Sequence, residues 1–425
     1  MKCTVQVDLG HGWIDCAEFE VDDLVVPLGA AQGRGRLSYL EGYFADYLGA
    51  RDAHSLSVSF PVGPDFLSTN TGQGWPFPLF DLLPAGAARR TWLRRLGIDR
   101  DSFGEDWNLL LAGAGNPPGN IRIKEAAQEE SARHPGFLRK EVLARKEDFI
   151  EYAERMGAPV AGTSGAQGDA PKFLLVEDAK GRWHAEGSVP SSKVKRHWLV
   201  KFPRGKTSRD REILAHEAVY SAVAKALGLD VKAPSTHEKG VLFVPRFDRK
   251  PLRGLESLAC AAGLRDASLG VRHEKLIRVI AEASSKPELD VIEYVRRDIL
   301  NVLLGNTDNH ARNTALLKDF KGGVRLSPFY DCAPMFWDEQ MIPRAIRWEA
   351  EYENGHLAGI DWARIIPSAE KAGKLKRDRL KQAVRGWVTP LRALPALLKK
   401  HGASKTLIAL RVREIKKQLA SLEKL

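Results

Sequence analysis

The stretch that most constrains this chain runs from Tyr294 to Asp331, YVRRDILNVLLGNTDNHARNTALLKDFKGGVRLSPFYD. Val291, Val295, Ile299, Val302 and Leu303 recur at three or four residues, the spacing of an amphipathic helix. Gly305 ends that pattern, and a loop holding Asn306, Asp308, Asn309, His310, Arg312 and Asn313 follows at once. A short apolar run, a Gly-Gly turn and a strand-like run then lead to Asp331. A polar cluster inside a hydrophobic frame is the sequence form of a buried active site. Asp308, an amide five residues on and a carboxylate eighteen beyond that suit a base with a metal pair.

At 425 residues, two or three domains are expected. A chain that is 44% hydrophobic and 28% charged is globular rather than disordered. No apolar run reaches the length of a membrane span, so no membrane partner is expected. The N-terminus, MKCTVQVDLGHGW, lacks the basic-then-apolar pattern of a signal peptide. Cys3, Cys16, Cys260 and Cys332 are far apart and form no C-x-x-C. That fits a reducing cytoplasm and argues against a structural zinc site. The net charge of +11 is uneven: residues 371–425 hold 16 Lys/Arg against 3 Asp/Glu, leaving the rest near neutral. A basic C-terminal region suits a polyanionic partner, and equally a solvated helix face.

In chain order, residues 1–125 read as a small strand-rich unit, with alternating runs in VQVDLGHGWIDCAEFEV and SLSVSFPV. DWNLLLA reads as a short helix and IRIK as a strand. Residues 126–150 are charged and read as a linker with a helix. In 151–250, a small-residue loop precedes the strand KFLLVED, KGRWHAEG marks a return turn, and RHWLVKFP is the next strand. EILAHEAVYSAVAKAL is an amphipathic helix with Ile213, Leu214, Val219, Ala222, Val223 and Leu227 on one face. GVLFVPRFDR is a further strand, and residues 251–425 read as mostly helical.

Phosphoryl transfer needs a group to orient the hydroxyl, Mg²⁺ ligands, a cation on the phosphates and a flexible backbone cover. Asp308 to Asn313 has the D-x-x-x-x-N spacing of a kinase catalytic loop. In that reading Asp308 accepts or orients the hydroxyl proton, and Asn313 and Asp331 offer hard oxygens to Mg²⁺. Lys201, mid-strand in WLVKFP, can project onto the phosphates, and Glu217 on the following helix can pair with it. Each piece alone is common by chance. Their order, flexible loop, strand Lys, helix Glu, hinge-like strand, catalytic loop and metal Asp, is that of a two-lobed kinase core. Rival chemistries are weaker. RGKTS carries G-K-T, but Val200 stands where a P-loop needs Gly. No H-E-x-x-H and no G-x-S-x-G occurs.

The chain resembles the HipA-type serine/threonine kinases, the toxin halves of type II toxin–antitoxin modules, over most of its length. GNTDNHARN is similar to that family's G-N-x-D-x-H-x-K-N, LSPFYDCAPM to its L-x-P-x-Y-D segment, VPRFDR to its hinge and SGAQ…K to its phosphate loop. PFPLFDLLPAG and LLLAGAGNPPGNIRI resemble its N-terminal subdomain. The resemblance implies an α+β fold: a two-lobed protein-kinase-like core, a small strand-rich N-terminal subdomain and a mainly helical C-terminal lobe. It implies ATP and Mg²⁺ as cofactors, Asp308 as catalytic base, Asn313 and Asp331 as Mg²⁺ ligands and Lys201 as the nucleotide lysine. Ser164, Gly165, Ala166, Gln167 and Lys172 fall on the phosphate loop, and Pro245, Arg246 and Phe247 on the adenine hinge. His310 is expected either to contact nucleotide or to orient the loop. Self-phosphorylation of a loop hydroxyl is a property of the family, and Thr163 and Ser164 are the nearest hydroxyls. The implied partners are a small helix-turn-helix, HipB-like antitoxin, a protein substrate in translation such as an aminoacyl-tRNA synthetase, and operator DNA through the antitoxin complex. The chain departs from the pattern in Arg312 for the usual Lys, in the longer GAQGDAPK loop and in Pro245 for the hinge Glu. The alternative is a pseudokinase acting as co-repressor or DNA-complex assembly module. The intact Lys201, Asp308, Asn313 and Asp331 argue against it.

Overall fold

Alternation of apolar residues at the N-terminus produces strands. The computed structural model describes residues 1–127, 134–155, 171–265, 270–353 and 360–425. The chain divides into two units, one of Met1–Arg204, Phe243–Arg265 and Leu317–Gly323, the other of Gly205–Leu242, Asp266–Leu316 and Val324–Leu425.

In the first unit, β1 (Lys2–Asp8) and β2 (Trp13–Val21) form an antiparallel pair, with Cys3 opposite Phe19 and Val7 opposite Ile14. With β3 (Gly35–Tyr39), β4 (Phe66–Ser68) and β5 (Ile121–Ile123) they make a sheet of order β4-β3-β2-β1-β5. Cys3, Val5 and Val7 point into one core, as a period of two requires. There Phe19 meets Trp75 and Trp107, with ring centroids 5.1 and 5.9 Å apart. Helix Asp106–Gly113 adds Trp107 and Leu110 to that core.

The run Ser55–Val62 is not a strand. Its only ladder contact among the described residues is an isolated bridge between Ser57 and Phe60. Leu56, Val58, Phe60 and Val62 are buried, but the backbone bonds to side chains: Val58 N–H donates to Glu256 Oε2 at 3.0 Å. Apolar alternation here reflects burial without sheet pairing.

The same unit carries a second sheet, with β6 (Lys172–Asp178), β7 (Trp183–Ala185) and β8 (Val194–Lys201) in the order β7-β6-β8, and residues 243–245 of β10 (Val241–Pro245) beside β8. The short strand β9, Thr236–Glu238, belongs to the second unit. Phe173, Leu174, Leu175 and Val176 are all buried, so β6 is covered on both faces. The segment read as a return turn contains β7 as well. Trp183 packs there against Trp198 and Phe243 at centroid distances of 5.9 and 5.3 Å.

The second unit is built on helices. Pro287–Leu304 is its spine, with Val291, Val295, Ile299 and Leu303 fully buried. Helices His273–Ala283, Arg379–Arg392 and Lys405–Glu423 pack against it. Ser208–Ala226 is capped by Thr207, whose side chain accepts from Asp210 N–H. Its buried face differs from the apolar stripe: Leu214, His216, Glu217, Tyr220, Val223 and Ala224 are inside. His216 and Tyr220 can be buried because both are bonded, His216 to Glu212 O and Ser404 N–H, Tyr220 to Leu304 O. Strand β11 (Gly254–Ser257) belongs to the first unit; β12 (Ala315–Lys318), whose Leu317 and Lys318 are also of the first unit, and β13 (Val324–Leu326) carry the chain from the polar loop towards Asp331.

Candidate active site

The polar loop begins where the spine helix is forced to stop. Gly305 sits at φ 75°, in the left-handed region, and Asn306 N–H closes back onto Asn301 O at 2.8 Å. Any Cβ there would also lie 2.5 Å from the Phe336 ring. Asn306 then turns its amide N–H to Asn301 Oδ1 at 3.1 Å.

Two asparagines hold the loop shape. Asn309 is buried: it donates to Ile346 O at 3.2 Å and accepts from Ala345 and Ile346 N–H at 3.1 and 3.3 Å. Asn313 closes a turn with His310 O and donates its side-chain N–H to Asp308 O at 2.8 Å. That bond sets the Asn313 amide orientation and leaves Oδ1 as an acceptor. The loop is fastened once more by Tyr330 OH, which donates to Arg312 O at 2.9 Å. His310 is buried, with Nε2 3.8 Å from Asp308 Oδ1. Within this unit, therefore, the sequence-predicted Asp308, His310 and Asn313 come together.

Asp331 has φ 55°, an uncommon conformation for a residue other than glycine, and one that clusters at functional sites. It lines a pocket with Asn306, Asn313, Thr314, Phe329 and Tyr330, with a cavity volume of about 20 Å³. The neighbouring Cys332 thiol is pushed well up by burial, and further by the negative charges of Glu217 and Asp331. Glu217 thus belongs to the surroundings of Asp331.

Behind the loop lies a network that sequence reading missed. Asp298 is buried and accepts from Trp348 Nε1 at 2.8 Å and Arg344 at 3.2 Å, while His273 stands 3.4 Å away. Burial alone would raise the Asp298 carboxyl; the Arg344 guanidinium outweighs it and holds the carboxyl below the usual range. Burial also lowers His273 to about 4, with Asp298 opposing and Arg344 assisting. The sequence held one signal: Asp298 stands on the apolar stripe, between Val295 and Val302.

The first unit holds the remaining predicted residues that are described. Lys172 and Lys201 face each other in register across β6 and β8, and Lys201 is buried. Arg246 donates backbone N–H to His197 O at 3.1 Å, and its guanidinium is taken up by Glu186 and Asp248. Arg249 bridges the same carboxylates at 3.1 and 2.8 Å. The hinge as read thus has a backbone arm, Pro245 to Phe247, and a buried arginine whose charge is already used. Thr163, Ser164, Gly165, Ala166 and Gln167 lie outside the described residues.

Among the described residues no group of three or more His, Cys, Asp or Glu is arranged to hold a metal. Mg²⁺ needs fewer protein ligands, because water and substrate phosphates complete its shell. Asn313 Oδ1 and the Asp331 carboxylate are hard oxygens on one pocket, and the buried Asn306 Oδ1 there has no hydrogen-bond partner. That donor set fits the ion.

A family model described as the HipA-like C-terminal domain matches residues 163–391. The Sinorhizobium fredii protein named "Putative kinase Y4dM" is 26% identical over 374 residues, spanning 83% of this chain and 85% of its own. A second protein of that organism, "Putative kinase Y4mE", is 27% identical over 315 residues, 68% of this chain and 70% of its own. A solved complex of Shewanella oneidensis MR-1 HipA, HipB and operator DNA has a chain of like fold, with TM-score 0.64 at 18% identity, covering 99% of this chain and 97% of that one.

Proposed function

The chain belongs to the family of HipA-like C-terminal domains, and we propose that it is an ATP- and Mg²⁺-dependent protein serine/threonine kinase. One observation carries the reading. The loop Asn306–Asn313 is folded so that Asn313 is fixed by the Asp308 carbonyl and lines the pocket it shares with a strained Asp331. Two relatives named as kinases support it.

In this proposal Asp308 accepts the proton of the attacking hydroxyl and orients its oxygen. Asn313 and Asp331 hold Mg²⁺, which when bound draws charge from the phosphate oxygens. Lys201 supplies the cation on the nucleotide phosphates, with Ser164 to Gln167 and Lys172 as their backbone cover and Glu217 as the lysine's counter-charge. The backbone of Pro245 to Phe247 faces the base. His310 steadies Asp308, or reaches the nucleotide once it is bound.

We further propose a toxin role: a partner that is a small helix-turn-helix antitoxin, contact with operator DNA in that complex through the basic C-terminal region, and a translation component as substrate. The solved HipA chain was seen with HipB and operator DNA, which supports the first two. We propose a cytoplasmic site of action; among the described residues no helix is long and apolar enough to cross a membrane.

The test is Mg²⁺-dependent transfer from labelled ATP in a cell extract. Asp308→Asn should lower it by about 10²–10⁴-fold, the range for loss of a positioned base. Equal labelling by wild type and variant would end the assignment. Mass spectra of the same reaction should show phosphate on Thr163 or Ser164. Their absence removes self-phosphorylation alone.

A further inference from the structure

The end of the spine helix poses an accounting question. The last carbonyls of a helix have no partner within it and must find one elsewhere. Asn301 O takes the Asn306 N–H at 2.8 Å. Val302 O takes Arg411 Nη2–H at 2.7 Å. Leu303 O takes Arg411 Nε–H at 3.1 Å and Nη2–H at 3.0 Å. Leu304 O takes Tyr220 OH at 2.8 Å. Every terminal carbonyl is thus satisfied, and three of the four by side chains more than eighty residues away in sequence.

These bonds converge on the root of the polar loop. Gly305 follows directly, and a Cβ there would lie 3.0 Å from Arg411 Cζ and 2.5 Å from the Phe336 ring. Arg411 lies over that ring, 4.8 Å from its centroid, and Phe336 N–H donates to Gly305 O at 2.9 Å. A cation at a helix C-terminus is also favoured by the helix dipole. A flexible ammonium could meet one carbonyl; the planar fork of arginine meets two at fixed geometry. Arg411 lies on Lys405–Glu423, beyond residues 163–391 that the family model matches.

We propose that Arg411 is a positioning residue for the catalytic loop, with Tyr220 as its companion, and that the C-terminal helix thereby sets the place of Asp308 and Asn313. This rests on the kinase reading for its catalytic consequence only. The geometric claim, that Arg411 fixes the loop root, stands without it.

The experiment compares Arg411→Met, Arg411→Lys and Tyr220→Phe with wild type by amide hydrogen exchange and by transfer kinetics. In Arg411→Met the amides of residues 305–314 should exchange about tenfold faster or more, while those in the middle of Pro287–Leu304 stay as in wild type. The kcat should fall by about 10–100-fold with KM for ATP within about twofold, as for misplaced rather than missing chemistry. Arg411→Lys should restore part of both, and Tyr220→Phe should show a smaller change of the same kind. Unchanged loop exchange in Arg411→Met overturns the proposal, as does a loss that falls on KM alone. Should Arg411→Met fail to fold, Arg411→Lys and Tyr220→Phe decide: wild-type loop exchange in both overturns it. A wild-type chain without transfer removes the kinase reading and leaves the exchange comparison to judge this one.

Discussion

Two buried polar clusters invite comparison, one in each unit. Around Arg246 in the first, Glu186 and Asp248 face Arg246 and Arg249, with His197 3.1 Å from Glu186. Gly119 N–H adds a bond to Asp248 at 2.8 Å. The charges balance and the carboxylate oxygens are bound. Around Asp298 in the second, the carboxylate is held by Arg344 and Trp348, but the pocket beyond it is not closed: the buried Asn306 Oδ1, on the pocket that Asn313 and Asp331 also line, has no hydrogen-bond partner. Both are polar groups inside a hydrophobic frame. Only the second has bonding capacity left over for a ligand, and that surplus, rather than buried polarity, marks the candidate site.

The largest effect that tests this contrast is on stability. Arg246→Met leaves Glu186 and Asp248 buried with one guanidinium between them. Breaking a buried pair from one side costs about 3–5 kcal/mol, so urea unfolding should shift by that order. A shift below about 1 kcal/mol would mean that Arg246 is not a keystone and that its side chain is available for ligand contact after all.

Acid should separate the clusters without mutation. Burial opposes the ionised Glu186, but Arg246 and Arg249 prevail and hold it at about 2, below the ordinary 4.5. Its contribution is therefore present above pH 4.5 and is lost as pH falls through about 2. His273 behaves otherwise. Burial holds it at about 4 against 6.5, so below pH 6.5 the unfolded chain takes up a proton that the folded one refuses. The second unit should thus weaken first, from pH 6.5 down to about 4. Hydrogen exchange read separately in each unit would show the order, and His273→Gln should flatten the earlier limb. Loss of the first unit's protection at the higher pH would reverse the comparison.

What could be read in advance follows from how far apart partners lie in sequence. The spine helix and its Gly305 stop were legible because period and terminator are local. The loop Asn306–Asn313 was legible because its polar residues are contiguous. Ser55–Val62 misled because apolar alternation looks the same whether the backbone pairs with a strand or with Glu256, about 200 residues on; Ser57 and Glu256 are separated by 199. Asp298 gave only the hint of a carboxylate on an apolar stripe, since Arg344 and Trp348 lie 46 and 50 residues away. The burial of Arg246 was hidden for the same reason, with Glu186 60 residues upstream.

The smallest expected effect on stability is the most discriminating one. Asp331 occupies φ 55°, where asparagine is at least as comfortable as aspartate. Asp331→Asn keeps the shape and one oxygen but removes the charge. If Asp331 serves a ligand rather than the fold, the variant should unfold within about 0.5 kcal/mol of wild type. Its phosphoryl transfer should fall as that of Asp308→Asn does. The Cys332 thiol, raised by burial and by the charges of Glu217 and Asp331, should move down slightly, which alkylation rates across pH can register in partly opened protein. A stability loss comparable to that of Arg246→Met would show that the Asp331 charge holds the fold. The second cluster would then be as closed as the first, and the pocket would lose its claim to be a site.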